Sequence, residues 1–519
     1  QQLGYEKWDA QRDMILRSRV VAGDMLSYNE MGQFSTINSL KAESIYNSGF
    51  ALVRYISKTY GEDKLKKLVD HLSDLDNFSM DAAFRSSVGK DGSDVYKEWK
   101  DYLEKDYSKR LSGVKETKIE GDLIQKEDFA NLNPKFSPDG KWIAFMSNEG
   151  TDFFSTQMYL YNTETKTKIP LPFTSGSNFN WSPDSKKIIY AQKQIPPSLK
   201  EISLFDLYEY DLQQHSVRKM TDNSRYTTPA YSYDGKKIVF LVPNDGTMNM
   251  KIADYNLTNI KPLTNFSLGE QIYNPQFTPD DKKILFEYSD EEARKIAELD
   301  IATGTYEFIL NKKDVDYRNP CPDKEGKGFY YSSDETGIFN IYYFDFDTKL
   351  SKQITNVIGG AFNPSIDDKG NLVYSSYQDG GFKIALLKDF KKYSEASIIN
   401  YDAPDKVVKM YAGIDSTGSE PKDKYNWSYL KNFDDTKIPH YKSEKYNPIF
   451  NQLSIFPAIR FDNYTKSGKF VDAIKPGLYF ASDELMSRMY IFGRAFINKN
   501  SERDLFLQFN YDYGVPILG

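Results

Sequence analysis

One cysteine and three histidines are all that 519 residues contain of the usual soft metal ligands. The lone Cys321 excludes an internal disulfide framework and any cysteine-built zinc cage. His71, His215 and His440 stand far apart, and none belongs to a His-Glu-x-x-His motif. Each reads as a surface or packing residue, so no metal site is assigned within this chain. The Gly-x-Ser-x-Gly elbow is missing, and with it the exposed serine of an α/β-hydrolase. So is the Gly-x-x-x-x-Gly-Lys loop that cradles phosphates. No apolar run reaches the length of a membrane-spanning helix. Basic residues number 67 against 74 acidic ones, a formal charge of −7, and no basic block gives nucleic acid a landing strip. The opening Gln1-Gln2-Leu3-Gly4-Tyr5-Glu6-Lys7-Trp8 lacks the pattern of a signal peptide. The chain is therefore expected to be a piece of a longer precursor.

Aromatic residues, by contrast, are plentiful: 39 Tyr and 34 Phe. Flat rings pack well on a pleated, half-buried surface, so strands should dominate. Residues 1–112 are the exception and read as a small α-helical domain. Ala51, Leu52, Tyr55 and Ile56 recur at helical spacing, as do Leu65, Leu68, Val69 and Leu72. A further helix starts near Ser93 and sets Val95, Trp99, Tyr102 and Leu103 on one face, with Gly61, Gly89 and Gly92 punctuating the segments.

From about residue 117 a repeat takes over. Aligned on its turn it reads NPKFSPDGKWIAF from Asn133, NFNWSPDSKKIIY from Asn178 and TPAYSYDGKKIVF from Thr228. It continues as NPQFTPDDKKILF from Asn274, NPCPDKEGKGFYY from Asn319 and NPSIDDKGNLVYS from Asn363. The copies start 45, 50, 46, 45 and 44 residues apart. That period is one four-stranded propeller blade. In each copy an apolar strand runs into an Asp-Gly-type turn that tolerates positive φ, and a second strand returns beside it. The fold class expected is mainly β: a six-bladed β-propeller over 117–400, preceded by the helical domain and followed by a short antiparallel β region. Thr117–Gln125 resembles a fourth strand with no blade before it, and should pair with the last blade near 364–390. Such closure removes an exposed sheet edge.

Residues 401–444, polar and irregular around Tyr425 and Trp427, suit a linker or arm. Over 445–519 strand signals return at Gly477–Ala481, at Arg488–Ile497 and where Leu505, Leu507, Phe509, Tyr511 and Tyr513 alternate with polar residues. Strands of about ten residues with one apolar face suit a transmembrane β-barrel or a soluble sandwich.

The F-S-P-D-G-K units resemble the Tol-type (TolB-like), WD-like propellers of bacterial envelope proteins. In the similar envelope proteins of Bacteroidetes type, a surface-antigen-like outer-membrane barrel follows the propeller. The stretches Gly477-Leu478-Tyr479 and Asp483-Glu484-Leu485 resemble the opening of such a barrel. Tyr46-Asn47-Ser48-Gly49-Phe50-Ala51-Leu52, followed by Tyr60-Gly61, resembles the tyrosine helix of gluzincin zinc peptidases. That resemblance implies Tyr46 as an oxyanion donor and zinc in a longer precursor, since neither the zinc motif nor its glutamate occurs here. Read from the residues alone, Tyr46 packs on a helix face.

The residues that open the repeats, Asn133, Asn178, Thr228, Asn274, Asn319 and Asn363, should ring one mouth of the propeller. They offer donors and acceptors to a protein, peptide or polysaccharide partner. The structural alternative is that the asparagines cap turns before proline. Together these readings imply an envelope binding or scaffold protein, in the periplasm or at the outer membrane, as a possible subunit of a larger assembly. The alternative is a zinc-peptidase precursor whose propeller presents substrate.

Overall fold

A computed structural model of the chain describes residues 9–33, 39–73, 79–150, 155–194, 203–289, 293–393, 396–403, 442, 453–462, 469–484 and 489–511. Tyr425, Trp427 and almost all of the expected linker lie outside the described residues, as do His440, Asp512 and Tyr513. The chain divides into two compact units, 1–431 and 432–519.

The first unit opens with helices α1 (Ala10–Ala22), α2 (Ser39–Tyr60), α3 (Glu62–Ser73), α4 (Met80–Val88), α5 (Gly92–Arg110) and α6 (Ser112–Glu116). Local chemistry sets their ends. The Asp9 side chain accepts from the Arg12 N–H at 2.8 Å, and Gly23 closes α1 at φ 67°. On α5, Val95, Trp99 and Leu103 are buried as the spacing predicts, joined by Tyr96 and Tyr107. Tyr102 instead faces outward and rests on Tyr55, because the buried stripe advances in steps of four and leaves it at the margin. On α3 only Leu68 is buried, while Val69 and Leu72 are exposed.

After the helices, the described residues of this unit form six four-stranded antiparallel sheets. Their first strands are β2 (Asn131–Phe136), β6 (Asn180–Trp181), β10 (Thr227–Tyr231), β14 (Gln271–Phe277), β18 (Tyr317–Pro322) and β22 (Gly360–Ile366). Five sheets are consecutive meanders. In the sixth, β22, β23 (Leu372–Gln378) and β24 (Gly381–Leu387) take their fourth strand from β1 (Asp122–Gln125). Leu123 pairs with Ala385, so the segment before the repeats does pair with the last copy. The turns behave as their composition predicts: Gly140, Gly235, Gly326 and Gly370 sit at φ between 70° and 76°, and Ser185 and Asp281 take the same conformation without being glycine.

The helices share a core with the last sheet. Leu16, Trp99, Leu103 and Tyr107 pack with Val357, Ala361 and Tyr374. At the centre of this joint Arg17 is buried against the Asp13 carboxylate. Its guanidinium donates to the carbonyls of Ile358 and Gly359, each at 2.8 Å, and lies over the Tyr401 ring. Asp13 also accepts from the Tyr107 hydroxyl at 2.9 Å and the Tyr401 hydroxyl at 3.3 Å. A buried ion pair of this kind holds only when its spare donors and acceptors are met, and here they are.

The second unit is an antiparallel meander of β25 (Ser454–Phe461), β26 (Ile474–Asp483), β27 (Met489–Ile497) and β28 (Arg503–Tyr511). The sequence pattern reveals only the last three. Pro457 masks β25, and proline is tolerated there because β25 is an edge strand. Register assigns the faces. Ile455 lies opposite Phe480, Leu478 opposite Ala495 and Ala495 opposite Leu505, so one face is apolar across all four strands. The other carries Arg460 paired with Asp504, and Arg494 with its guanidinium over Phe506.

Candidate binding mouth

Each repeat-opening residue except Asn178 sits at positive φ: Asn133 54°, Thr228 49°, Asn274 49°, Asn319 55° and Asn363 53°. All five fall where the pairing of first and second strand shifts register. They are bulge residues within the strand, so the asparagines do not cap turns as the structural alternative supposed. Asparagine tolerates the left-handed region better than other non-glycine residues, which explains four of the six positions without reference to a ligand; Thr228 adopts it although β-branched.

The first strands are knit into a ring. Trp181 Nε1 donates to the Lys135 carbonyl at 3.1 Å, and the Thr228 N–H to Ser177 Oγ at 3.0 Å. The Asn363 N–H donates to Asn319 Oδ1 at 3.2 Å, and the Phe136 N–H to Ser365 Oγ at 3.0 Å. Other contacts skip a neighbour. Asn178 Nδ2 donates to Asn274 Oδ1, and Asn180 Nδ2 to Gln276 Oε1 at 3.4 Å, passing over the sheet between. The six strands therefore converge on one axis and enclose a narrow bore.

Three of the six ring residues are already engaged. Fully buried Glu287 accepts from Asn274 Nδ2, from the Asn319 N–H at 2.8 Å and from Arg294 at 2.6 Å, while Arg294 stacks on Tyr273. Asn178 and Asn319 are held as above, though Asn178 Oδ1 is buried and unmatched. The side chains of Asn133, Thr228 and Asn363 make no hydrogen bond among the described residues and are half-buried, so they face the bore with capacity to spare. Arg318 stands beside them, paired with Asp316 and reaching Gln11 of α1 at 3.4 Å. Helix α1 thus flanks the mouth on the side of β18 and β22.

Sequence reasoning overlooked two members. Two residues past the ring position the first strands carry Lys135, Asn180, Ala230, Gln276, Cys321 and Ser365. One charged residue in that column is a visible signal. Thirteen residues past it the column reads Met146, Ala191, Leu241, Glu287, Ser332 and Ser376, and the lone acid marks the buried carboxylate. Burial pulls the Lys135 ammonium down to about 8 and pushes the Cys321 thiol up to about 11, and each group acts electrostatically on the other.

Tyr46 is remote from any such organisation: it lies on α2 with 67% of its surface exposed. Among the described residues no three His, Cys, Asp or Glu side chains stand together as metal ligands.

The TolB beta propeller domain (PD40) family model matches residues 119–325. The chain is similar to the Tol-Pal system protein TolB of Francisella tularensis subsp. tularensis, strain WY96-3418. The two are 26% identical over 202 residues, 37% of this chain and 43% of that protein. The subsp. holarctica OSU18 protein is 28% identical over 151 residues, 29% of this chain and 33% of its own length. The chain thus spans less than half the length of these curated relatives. Among solved structures, TolB from Acinetobacter baumannii aligns over 47% of this chain and 58% of its own, with a TM-score of 0.39 and 21% identity. A putative TolB from Agrobacterium tumefaciens aligns over 51% of this chain and 93% of its own, with a TM-score of 0.39 and 17% identity.

Proposed function

We propose that this chain, which carries a TolB-like β-propeller, is a cell-envelope scaffold that grips a protein partner at the mouth ringed by Asn133, Asn178, Thr228, Asn274, Asn319 and Asn363. Its six sheets are read as six blades spanning 117–400. The carrying observation is the division of labour in that ring: the side chains of Asn133, Thr228 and Asn363 make no hydrogen bond among the described residues, while the other three brace the wall. The Tol-Pal relatives support an envelope, periplasm-facing setting. Peptides and polysaccharides are the other ligand classes that such amides suit.

The second unit supports attachment to the outer membrane. Its strands run 8, 10, 9 and 9 residues, close to the length that crosses a bilayer when tilted. Ile459, Phe461, Leu505, Leu507 and Phe509 are exposed on its apolar face, and Arg460, Arg494 and Asp504 lie on the other. That is the division between lipid and lumen expected of a barrel's opening strands, whose remaining members would have to come from further chain.

Photo-cross-linking from position 228 in cells, followed by envelope fractionation, tests the reading. One dominant adduct in the outer-membrane fraction is expected. It should fade in the Asn133→Gly/Asn363→Gly variant, since glycine keeps the left-handed backbone and removes only the amides. An adduct unaffected by that variant would sink the mouth as the site. The peptidase-precursor alternative rests on the Tyr46 segment, and it fails if the gene upstream of Gln1 encodes no His-Glu-x-x-His.

A further inference from the structure

The mouth leads to an unusual lysine. Lys135 lies two residues inward from Asn133, roughly 6 Å along the strand. Its ammonium meets no carboxylate and no carbonyl among the described residues; its one contact is the Phe179 ring, 5.7 Å from Nζ. The groups presented by the packed strands are Cys321 from β18, Ser365 from β22, and Phe179 and Trp181 beside and on β6. None of them carries a negative charge at neutral pH. The acids placed at the mouth are already taken: Glu287 by Arg294, and Asp316 by Arg318. A half-buried cation left unpaired is costly, and burial already weakens its hold on the proton. A hydrocarbon side chain would fill the same place more cheaply.

We infer that the bore receives the carboxylate of a peptide, from its C-terminus or an acidic side chain, and that Lys135 is the cation that pairs with it. The inference rests on the mouth-binding reading above and names the ligand chemistry of that site. A peptide fits better than a sugar for two reasons. Amides of Asn133 and Asn363 stand on the way in, and each matches both halves of a peptide group. The aromatic rings of the first strands offer no open platform for a sugar ring: Phe136, Trp181, Tyr231, Phe277, Tyr317 and Phe362 are buried, and the half-buried Tyr273 already carries the Arg294 guanidinium on its face. The bore is also too narrow for a folded element, because the Asn178–Asn274 and Asn180–Gln276 contacts cross part of it. Lys324 bridges the turn end, reaching the Pro138 carbonyl at 3.4 Å and Asp368 at 2.6 Å. Entry is therefore from the asparagine mouth, by a single chain end or side chain.

Calorimetric titration of the whole chain tests this with four probes. They are an acetylated hexaglycine ending in a free carboxylate, an Asp-containing peptide amide, its Asn counterpart, and a uronic-acid trisaccharide. At least one carboxylate peptide is expected to bind roughly tenfold tighter than the neutral one, and the tighter of the two identifies the source of the carboxylate. Lys135→Gln should erase that preference while leaving the melting temperature level or higher. Equal binding of acidic and neutral peptides, no binding of any peptide, a preference that survives Lys135→Gln, or tighter binding of the trisaccharide would each overturn it. The wider reading is judged separately. If Lys135→Gln changes nothing while the cross-link from position 228 still depends on Asn133 and Asn363, only the carboxylate assignment falls.

Discussion

Asp206 shows how single side chains hold a blade's loops. It is buried, and its carboxylate accepts from Thr221 Oγ1 at 2.9 Å, from the N–H groups of Asn223 and Ser224 at 3.0 Å each, and from Ser224 Oγ at 3.1 Å. Burial alone would raise its pKa. The two backbone donors and two hydroxyls outweigh that and hold it below the usual carboxylate range. A depressed folded pKa means stability that is fully present above the unfolded value, roughly 3.9, and is lost as pH falls through the folded one. Asp206→Asn should therefore cost about 2 kcal/mol at pH 7, because an amide turns a donor toward donors. It should also flatten the decline of stability below about pH 4. Denaturant midpoints at a series of pH values read both effects, and an unchanged acid limb would refute the assignment. Lys135 and Glu287 are residues of another kind, legible only by comparing columns of the repeat. Each breaks its column's chemistry.

At the scale of elements, the periodicity of 44 to 50 residues placed the first strands and their turns correctly. It could not show that asparagine sits in a bulge, because a bulge is a property of pairing, and pairing is invisible in one strand alone. The meander of β25 to β28 teaches the converse. Its alternation was readable in β28, yet β25 was hidden by Pro457, and the faces became definite only through register. If the apolar face meets lipid, Leu507→Arg should cost roughly 2–4 kcal/mol of insertion, whereas Gln508→Arg on the opposite face should cost little. Refolding into vesicles with a urea titration compares them. Equal sensitivity at the two positions would argue for a soluble sheet.

For the first unit taken whole, the decisive feature is the joint between the helices and the last sheet. Asp13→Ala would leave Arg17 buried beside two carbonyls without its counter-ion, and would remove the acceptor of Tyr107 and Tyr401. Losing one partner of a buried pair costs about 3–5 kcal/mol. Chemical denaturation followed by helical and sheet signals should show one shared transition in the wild type, shifted as a whole in the variant. Helices that melt separately in the wild type would show that the joint does not couple them.

By itself the sequence determined the repeat, its period, the turn chemistry and the pairing of the segment near residue 120 with the last copy. Those features follow from local conformational preference and a unit that cannot bury its own faces, so copying the unit copies the information. Tertiary structure decided what local pattern could not. It showed which ring residues brace the wall and which make no side-chain hydrogen bond among the described residues, that α1 flanks the mouth, and that Lys135 has no counter-ion among the described residues. Partners from strands dozens to hundreds of residues apart settle each of these, and only folding brings them within hydrogen-bonding reach.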